Sequence, residues 1–299
     1  MTDRRETNRK PKGRPNRTKR PQRKGVERDW SEGERIAKYL ARAGVASRRE
    51  AEAMIERGEV RVDGRKLTTP AFKVTGREDI RVHGKRVQAH EPVRVWRYHK
   101  PSGLITTTSD PEGRRTIFDE LPKSLPRTIT IGRLDLTTEG ILLLTNDGHL
   151  ARAMELPKTG FVRHYRARAH GETSQEILDS LKGGVTLDDG TRYTSIEAEL
   201  ERQTGTNNWL NVRLTEGKNR EVRKALEHLG LQVNRLIRTQ YGPFELSDLR
   251  PGAVEEIPAE VLREQLKDVI PNKLLPQEPE ERPQRRRPSG GSRVHRRKR

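Results

Sequence analysis

The sequence predicts an α+β protein in two modules: a small unit of two helices plus a small sheet, then a larger domain built on a largely antiparallel mixed sheet, with disordered basic tails at both ends. Three observations predict it. The 299 residues suit about two domains with extensions. The charge is uneven: of a formal +19, residues 1–30 carry +8 and residues 271–299 carry +7, which leaves +4 for the 240 residues between. Within that near-neutral body, strands and helices follow one another without the even βαβα spacing of a parallel sheet.

The tails, 1–32 and 267–299, are rich in Arg, Lys, Pro and Gly and poor in apolar residues. Such segments bury too little apolar surface to offset the entropy of ordering. Flexible cationic arms on an ordinary body suit a polyphosphate partner, from which they release counterions. An anionic membrane suits them less, because neither has an apolar face to insert.

Order begins near Gly33. In ERIAKYLARAG, Ile36, Ala37, Leu40 and Ala43 share one helical face, and Gly44 is a natural stop. Ser47 and Glu50 are spaced as a capping box for a second helix that buries Ala51, Met54 and Ile55 and ends at Gly58. A strand at Glu59–Val62 runs into Asp63-Gly64, a tight hairpin signal, and a strand at Ile80–Val82 closes the module, 33–82. Arg48, Arg49 and Arg57 stand beside helix ends, where side-chain charge and free N–H groups can both meet phosphate.

Residues 83–92 read as a polar linker, and the second domain as 93–266. Its expected strands are Val93–His99, Ile129–Ile131, Ile141–Thr145 and Phe161–His170, with a short helix His149–Leu156 stopped by Pro157. Thr173 and Glu176 are spaced as a second capping box. The alternating runs Ile196/Ala198/Leu200 and Leu210/Val212/Leu214 flank Thr204-Gly205-Thr206 as an antiparallel pair. Residues 219–230 read as a helix with Val222, Ala225, Leu226 and Leu229 inward and Arg220, Arg223 and Glu227 off that face.

Composition excludes several chemistries. With no cysteine, disulfides, thiolate catalysis and Cys-based zinc sites are out. The eight histidines show no HExxH spacing, so no metal is expected, and neither GxxxxGK[ST] nor GxGxxG is present, so no nucleotide cofactor is expected either. The longest apolar run, Ile141–Leu144, is far short of a membrane span, and the charged N-terminal stretch leads into no apolar segment; a cytoplasmic protein is the expectation.

The segment IGRLDLTTEGILLLTNDG, 131–148, carries the chemistry. A carboxylate at a strand end beside Arg133 can stay ionised in a partly enclosed pocket and act as nucleophile or base. From Asp135 alone, a loop-capping role is the better reading. The segment resembles the GRLDxxTxGLLLLTNDG signature of the pseudouridine synthases that include ribosomal small-subunit enzyme A and large-subunit enzymes B, E and F. In that family the motif's Asp is the indispensable catalytic residue, which falls on Asp135; Glu139 stands where a small residue is common. YHKPSGLITT, 98–107, resembles the family's first motif, a strand and Lys-Pro turn, and places Lys100 as an RNA contact beside the pocket wall. RHYRARAHG, 163–171, resembles the segment whose tyrosine meets the target base, here Tyr165, with Arg163 where Lys is frequent. A Tyr ring offers a stacking face worth about 1–3 kcal/mol per base.

The run 214–246, with NREVR and NRLIR…YGPF, resembles the third motif, most closely that of the B-type enzymes. That resemblance implies that Arg223 pairs with Asp135, and Lys218 and Arg220 are further RNA-contact candidates. AGVASRREAEAMIERGEVRVDGR resembles the S4 RNA-binding domain. Together these matches span 33 to about 250. They imply that a monomer, acting without a cofactor on an extruded base, isomerises a uridine in ribosomal RNA, most closely 23S RNA. Two other readings remain open on sequence: a non-catalytic S4-type ribosome-associated protein, which leaves Asp135, Tyr165 and Arg223 unexplained, and a synthase acting on 16S RNA or tRNA.

Overall fold

The computed structural model describes residues 33–88, 91–108 and 110–277. The tail expected at 1–32, and that beyond 277, lie outside the described residues.

The first module comprises β1 (Glu34–Arg35), α1 (Ile36–Arg42), α2 (Arg48–Glu56), β2 (Val60–Val62), β3 (Arg65–Lys66), β4 (Lys73–Val74), β5 (Ile80–Val82) and β6 (Lys85–Arg86). The two helices bury Ile36, Leu40, Ala51 and Ile55 against Val60, Val62, Ile80 and Val82 of an antiparallel sheet ordered β3-β2-β5-β6. Ser47 Oγ accepts from the Glu50 N–H at 3.1 Å, which is half of the expected box; the Glu50 carboxylate turns instead to Arg57, at 2.8 Å. Asp63-Gly64 is a two-residue hairpin turn with both φ positive, as its composition predicts. His83-Gly84 repeats the device between β5 and β6. The expected linker therefore begins too early: residues 85–86 form a strand and Val87 packs on the module core. A turn built on His-Gly is a weaker signal than Asp-Gly, which hid it.

The second domain comprises β7 (Val95–Lys100), α3 (Ile117–Glu120), β8 (Ile129–Ile131), β9 (Thr138–Thr145), α4 (Gly148–Glu155), β10 (Arg163–His170), α5 (Gln175–Asp179), β11 (Val185–Thr186), β12 (Arg192–Tyr193), β13 (Glu197–Thr204), β14 (Asn207–Leu214), α6 (Glu221–His228), β15 (Gln232–Tyr241), β16 (Phe244–Glu245), β17 (Val254–Ile257) and α7 (Ala259–Leu266). Its main sheet runs β13-β14-β10-β15-β9-β7-β17, with β16 on β15 and β8 on β9. Every pair is antiparallel except β15–β9.

That parallel pair joins two halves of the sheet. At the joint Gly140 has φ +108°, and a Cβ there would stand 2.2 Å from the Arg238 carbonyl oxygen, so only glycine lets the strands approach. One half packs Ala167, Leu210, Val212, Leu178, Ala225 and Leu226 beneath α5 and α6. The other packs Val95, Ile141, Leu143, Leu150, Met154 and Leu262 beneath α4 and α7, while Trp96, Tyr98, Leu142 and Leu144 face Ile117 and Leu134 on the opposite side. The four-residue apolar run Ile141–Leu144 is thus a strand covered on both faces.

Two sequence expectations need correction. The α5 cap is Ser174, whose Oγ accepts from the Ile177 N–H, rather than Thr173. The domain also continues past 266: Ile270 and Leu275 are 3% and 1% exposed in the core beside α7, so 267–277 is packed chain. Isolated apolar residues among Pro, Asn and Lys produce no periodic signal, so the segment reads as tail.

Candidate active site

β8 runs into Gly132, whose φ of +71° turns the chain back toward β9 and leaves Arg133–Thr137 as a tight loop on the wall of an open cleft of about 760 Å³. The loop is held from four sides. Lys100, at the end of β7, is fully buried, and its Nζ donates to the carbonyls of Thr138 (2.9 Å), Pro101 (3.0 Å), Asp135 (3.1 Å) and Leu136 (3.3 Å). Gly103 N–H donates to the Leu136 carbonyl at 2.8 Å, and Thr106 Oγ1 to that of Leu134 at 3.1 Å. Glu155, on α4, accepts the Gly132 N–H at 2.8 Å.

Lys100 is therefore not an RNA contact, as its place in a Lys-Pro turn suggested. It is an internal cation that ties the backbone of the Asp135 loop together. Burial lowers its pKa to about 8, opposed by the nearby charges of Asp135 and Glu139.

The Asp135 carboxyl lines the cleft, its side chain 29% exposed. Tyr165, half-buried on β10 opposite Val212 and Arg238, lines the same cleft, as does the exposed Arg133. The expected group thus converges in space from segments 30 residues and more apart, with one exchange of roles. The ion pair on Asp135 is made by Arg220, whose Nη1 lies 3.9 Å from Oδ2. Arg220 occupies the left-handed position that caps α6, with φ +53°, and this backbone turn swings its side chain toward the loop.

Arg223, expected off the apolar face and paired with Asp135, is 5% exposed, and its guanidinium donates to the carbonyls of Val233 (2.8 Å) and Thr137 (3.3 Å). Burial and the charge of Arg220 lower its pKa, while Asp135 opposes them. Arg223 thus bridges α6 and the loop through backbone oxygens, and its charge reaches Asp135 through space. Lys218 is also occupied: Nζ donates to the Arg192 carbonyl at 2.6 Å and meets Glu216 at 3.1 Å.

Glu221 carries no signal in the sequence. It is 4% exposed on the cleft wall, and one oxygen accepts the Lys218 N–H at 2.8 Å. Burial raises its pKa to about 7; the Lys218 N–H opposes this and Glu216 adds to it. A folded-state value above the ordinary 4.5 means that the folded chain holds a proton which the unfolded chain releases between those two pH values. Stability therefore falls as pH rises from about 4.5 to 7. Glu221→Gln is expected to flatten that fall, as measured by denaturant unfolding at pH 5 and pH 8; equal slopes in both proteins would exclude this linkage.

In the first module Arg48 and Arg49 are exposed on the first turn of α2. Arg57 is not free for the expected phosphate contact, since Glu50 and Glu59 hold its guanidinium at 2.8 and 2.7 Å. Arg42 Nε lies 3.2 Å from Asp147 Oδ2, the carboxylate that also caps α4, and this pair links the two modules.

Known proteins resemble the chain over the same segments. The RNA pseudouridylate synthase family matches residues 94–228, and the S4 domain matches 34–80. An uncharacterised RNA pseudouridine synthase of Rickettsia felis is 46% identical over 77% of this chain and 99% of its own. Ribosomal large subunit pseudouridine synthase B of Pasteurella multocida is 42% identical over 76% and 67%, and that of Salmonella typhi 44% over 71% and 75%. Among solved structures, a pseudouridylate synthase covers 78% of this chain and 99% of its own at a TM-score of 0.55 and 21% identity, which is a likeness of fold.

Proposed function

The chain belongs to the RNA pseudouridine synthase family, and from that premise we propose that it isomerises one uridine of large-subunit ribosomal RNA, as a monomer in the cytoplasm, with Asp135 as the catalytic carboxylate. The observation that carries the reading is the convergence of Asp135, Tyr165 and Arg220 on one cleft, with the Asp135 backbone clamped by Lys100.

The reaction breaks the N1–C1′ bond, turns the uracil and closes a C5–C1′ bond. C5 gives up a proton and N1 gains one, so no atom or electron is gained or lost overall. The target must leave its stack to enter the cleft. Tyr165 then stacks on the extruded base, and Arg133 lies at the rim where the RNA helix is left open. Asp135 starts the exchange by attack on the sugar, attack on the base or removal of a ribose proton. Arg220 pairs with its carboxylate, and Arg223 holds the same loop through the Thr137 carbonyl. Arg48 and Arg49 hold RNA outside the cleft.

The large-subunit assignment rests on likeness to synthase B enzymes over most of the chain. Pseudouridine mapping of ribosomal RNA from cells with and without this protein tests it. One large-subunit site is expected to vanish. Loss of a small-subunit or tRNA site would move the substrate, and an unchanged map would leave an RNA-binding protein without this activity.

A further inference from the structure

Two guanidinium groups on the inner wall of the cleft have no role in the chemistry above. Arg238 is the β15 partner of Tyr165 and is 2% exposed. Its Nε donates to the Ile141 carbonyl at 2.8 Å, which pins the group at the parallel joint, while Nη2 is buried without a partner. Arg163 opens β10, donates to the carbonyls of Phe161 and Thr215, and reaches the Tyr241 hydroxyl at 3.5 Å. The two guanidinium carbons stand 4.9 and 5.0 Å from the centroid of the Tyr241 ring, so both charges converge on one aromatic group.

Among the described residues, the contacts of both arginines go to backbone carbonyls and to Tyr241 rather than to a carboxylate. The acid nearest in role, Glu155, also lines the cleft, but its Oε1 is committed to the Gly132 N–H. Two like charges set around one ring, one of them shut away from water, are costly unless an anion completes them. A tyrosine face offsets only part of that cost. A base carbonyl can accept a hydrogen bond from Arg238 but cannot neutralise it. A phosphodiester does both, and the planar fork of arginine fits its oxygens.

Tyr165 and Arg238 are partners on neighbouring strands, next to a shift in their register, and both line the cleft, so the Arg238 site lies beside any base stacked on Tyr165. We propose that Arg163 and Arg238 form a phosphate subsite that holds a backbone phosphate flanking the isomerised uridine and so sets its ribose against Asp135. The subsite rests on the reading that the substrate is an RNA uridine.

The test measures binding of uridine 3′,5′-bisphosphate, uridine and inorganic phosphate to the full chain by calorimetry, at fixed salt. The bisphosphate is expected to bind at least about tenfold tighter than uridine, the increment of one charge-assisted contact. Arg163→Gln and Arg238→Met should each remove most of that advantage while leaving uridine affinity within about twofold. Arg163→Gln keeps the test valid should Arg238→Met fail to fold. Equal affinities for uridine and the bisphosphate, or an advantage that survives in both folded variants, overturn the subsite. Inorganic phosphate binding as tightly as the bisphosphate would make it a free-ion site and overturn the assignment to an RNA backbone. Failure of the isomerase reading would instead appear in the pseudouridine map, with these affinities unaffected.

Discussion

Asp135→Asn is expected to lower pseudouridine formation at least about 10³-fold while RNA affinity is kept or slightly raised. The amide matches the carboxylate in shape, and the loop is held through backbone atoms that the substitution does not touch: the Asp135 carbonyl still accepts from Lys100 Nζ and from the Thr138 N–H. What disappears is one negative charge facing Arg220 on a cleft rich in arginine. A phosphate backbone meets less repulsion there, so binding does not suffer, whereas every role open to the carboxylate needs its ionised form. Single-turnover conversion of a ribosomal RNA fragment, with affinity measured in parallel, separates the two quantities. Near-normal turnover would remove Asp135 from the mechanism; loss of affinity and rate together would make it part of the binding surface.

Lys100→Met carries the second large effect, and it distinguishes an internal clamp from an RNA contact. The substitution keeps the volume of the side chain but takes Nζ away from four carbonyl oxygens; those of Asp135 and Leu136 keep the Thr138 and Gly103 N–H groups, while those of Pro101 and Thr138 lose their lysine donor. Each buried carbonyl left without a donor costs roughly 1–3 kcal/mol, so the loop opens to water and global stability falls by about 3 kcal/mol or more. A catalytic group displaced by about 1 Å loses on the order of 10²-fold in rate, and that loss is expected in kcat. KM for RNA and the salt dependence of binding should hardly move, because a fully buried ammonium makes no phosphate contact. A raised KM with a shallower salt slope would restore Lys100 to the RNA surface.

The same lysine predicts opposite pH trends for activity and stability. Its folded pKa of about 8 lies below the ordinary 10.5. Between those values the unfolded chain holds a proton that the folded chain has released, so this residue's contribution to stability rises with pH across that window. Activity declines as the folded lysine titrates, since a neutral amine offers the four carbonyls two N–H donors and no charge where the ammonium offers three and a full charge. An alkaline limb in kcat with midpoint near 8, absent from Lys100→Met, would mark the clamp.

Much of this protein is written locally. The apolar faces of α1, α2 and α6, the Asp63-Gly64 turn, the β13–β14 pair and the doubly covered run in β9 follow from residue periodicity and turn chemistry within a few residues of chain. The order of the motifs marks Asp135 and Tyr165, and the cleft contains both. The departures share a cause. Lys100, Arg57, Arg223 and Lys218 read as cations facing RNA or Asp135 because Lys and Arg favour solvent and anions, and each is engaged by other groups of the same chain instead, Lys100 and Arg223 in the interior and Arg57 and Lys218 at the surface.

What the sequence determined by itself was therefore the α+β class, the two modules, the family and the motif that carries Asp135. These depend on backbone propensity, burial period and motif order, all legible along the chain. Only the tertiary structure decided where the charged groups are spent: Lys100 on a loop 35–38 residues away, Arg223 on the Thr137 carbonyl 86 residues back, Glu155 on Gly132 across 23. A charged side chain is long and adopts many rotamers, so its partner is chosen by whichever group the folded backbone brings within about 3 Å, and no local pattern encodes that distance.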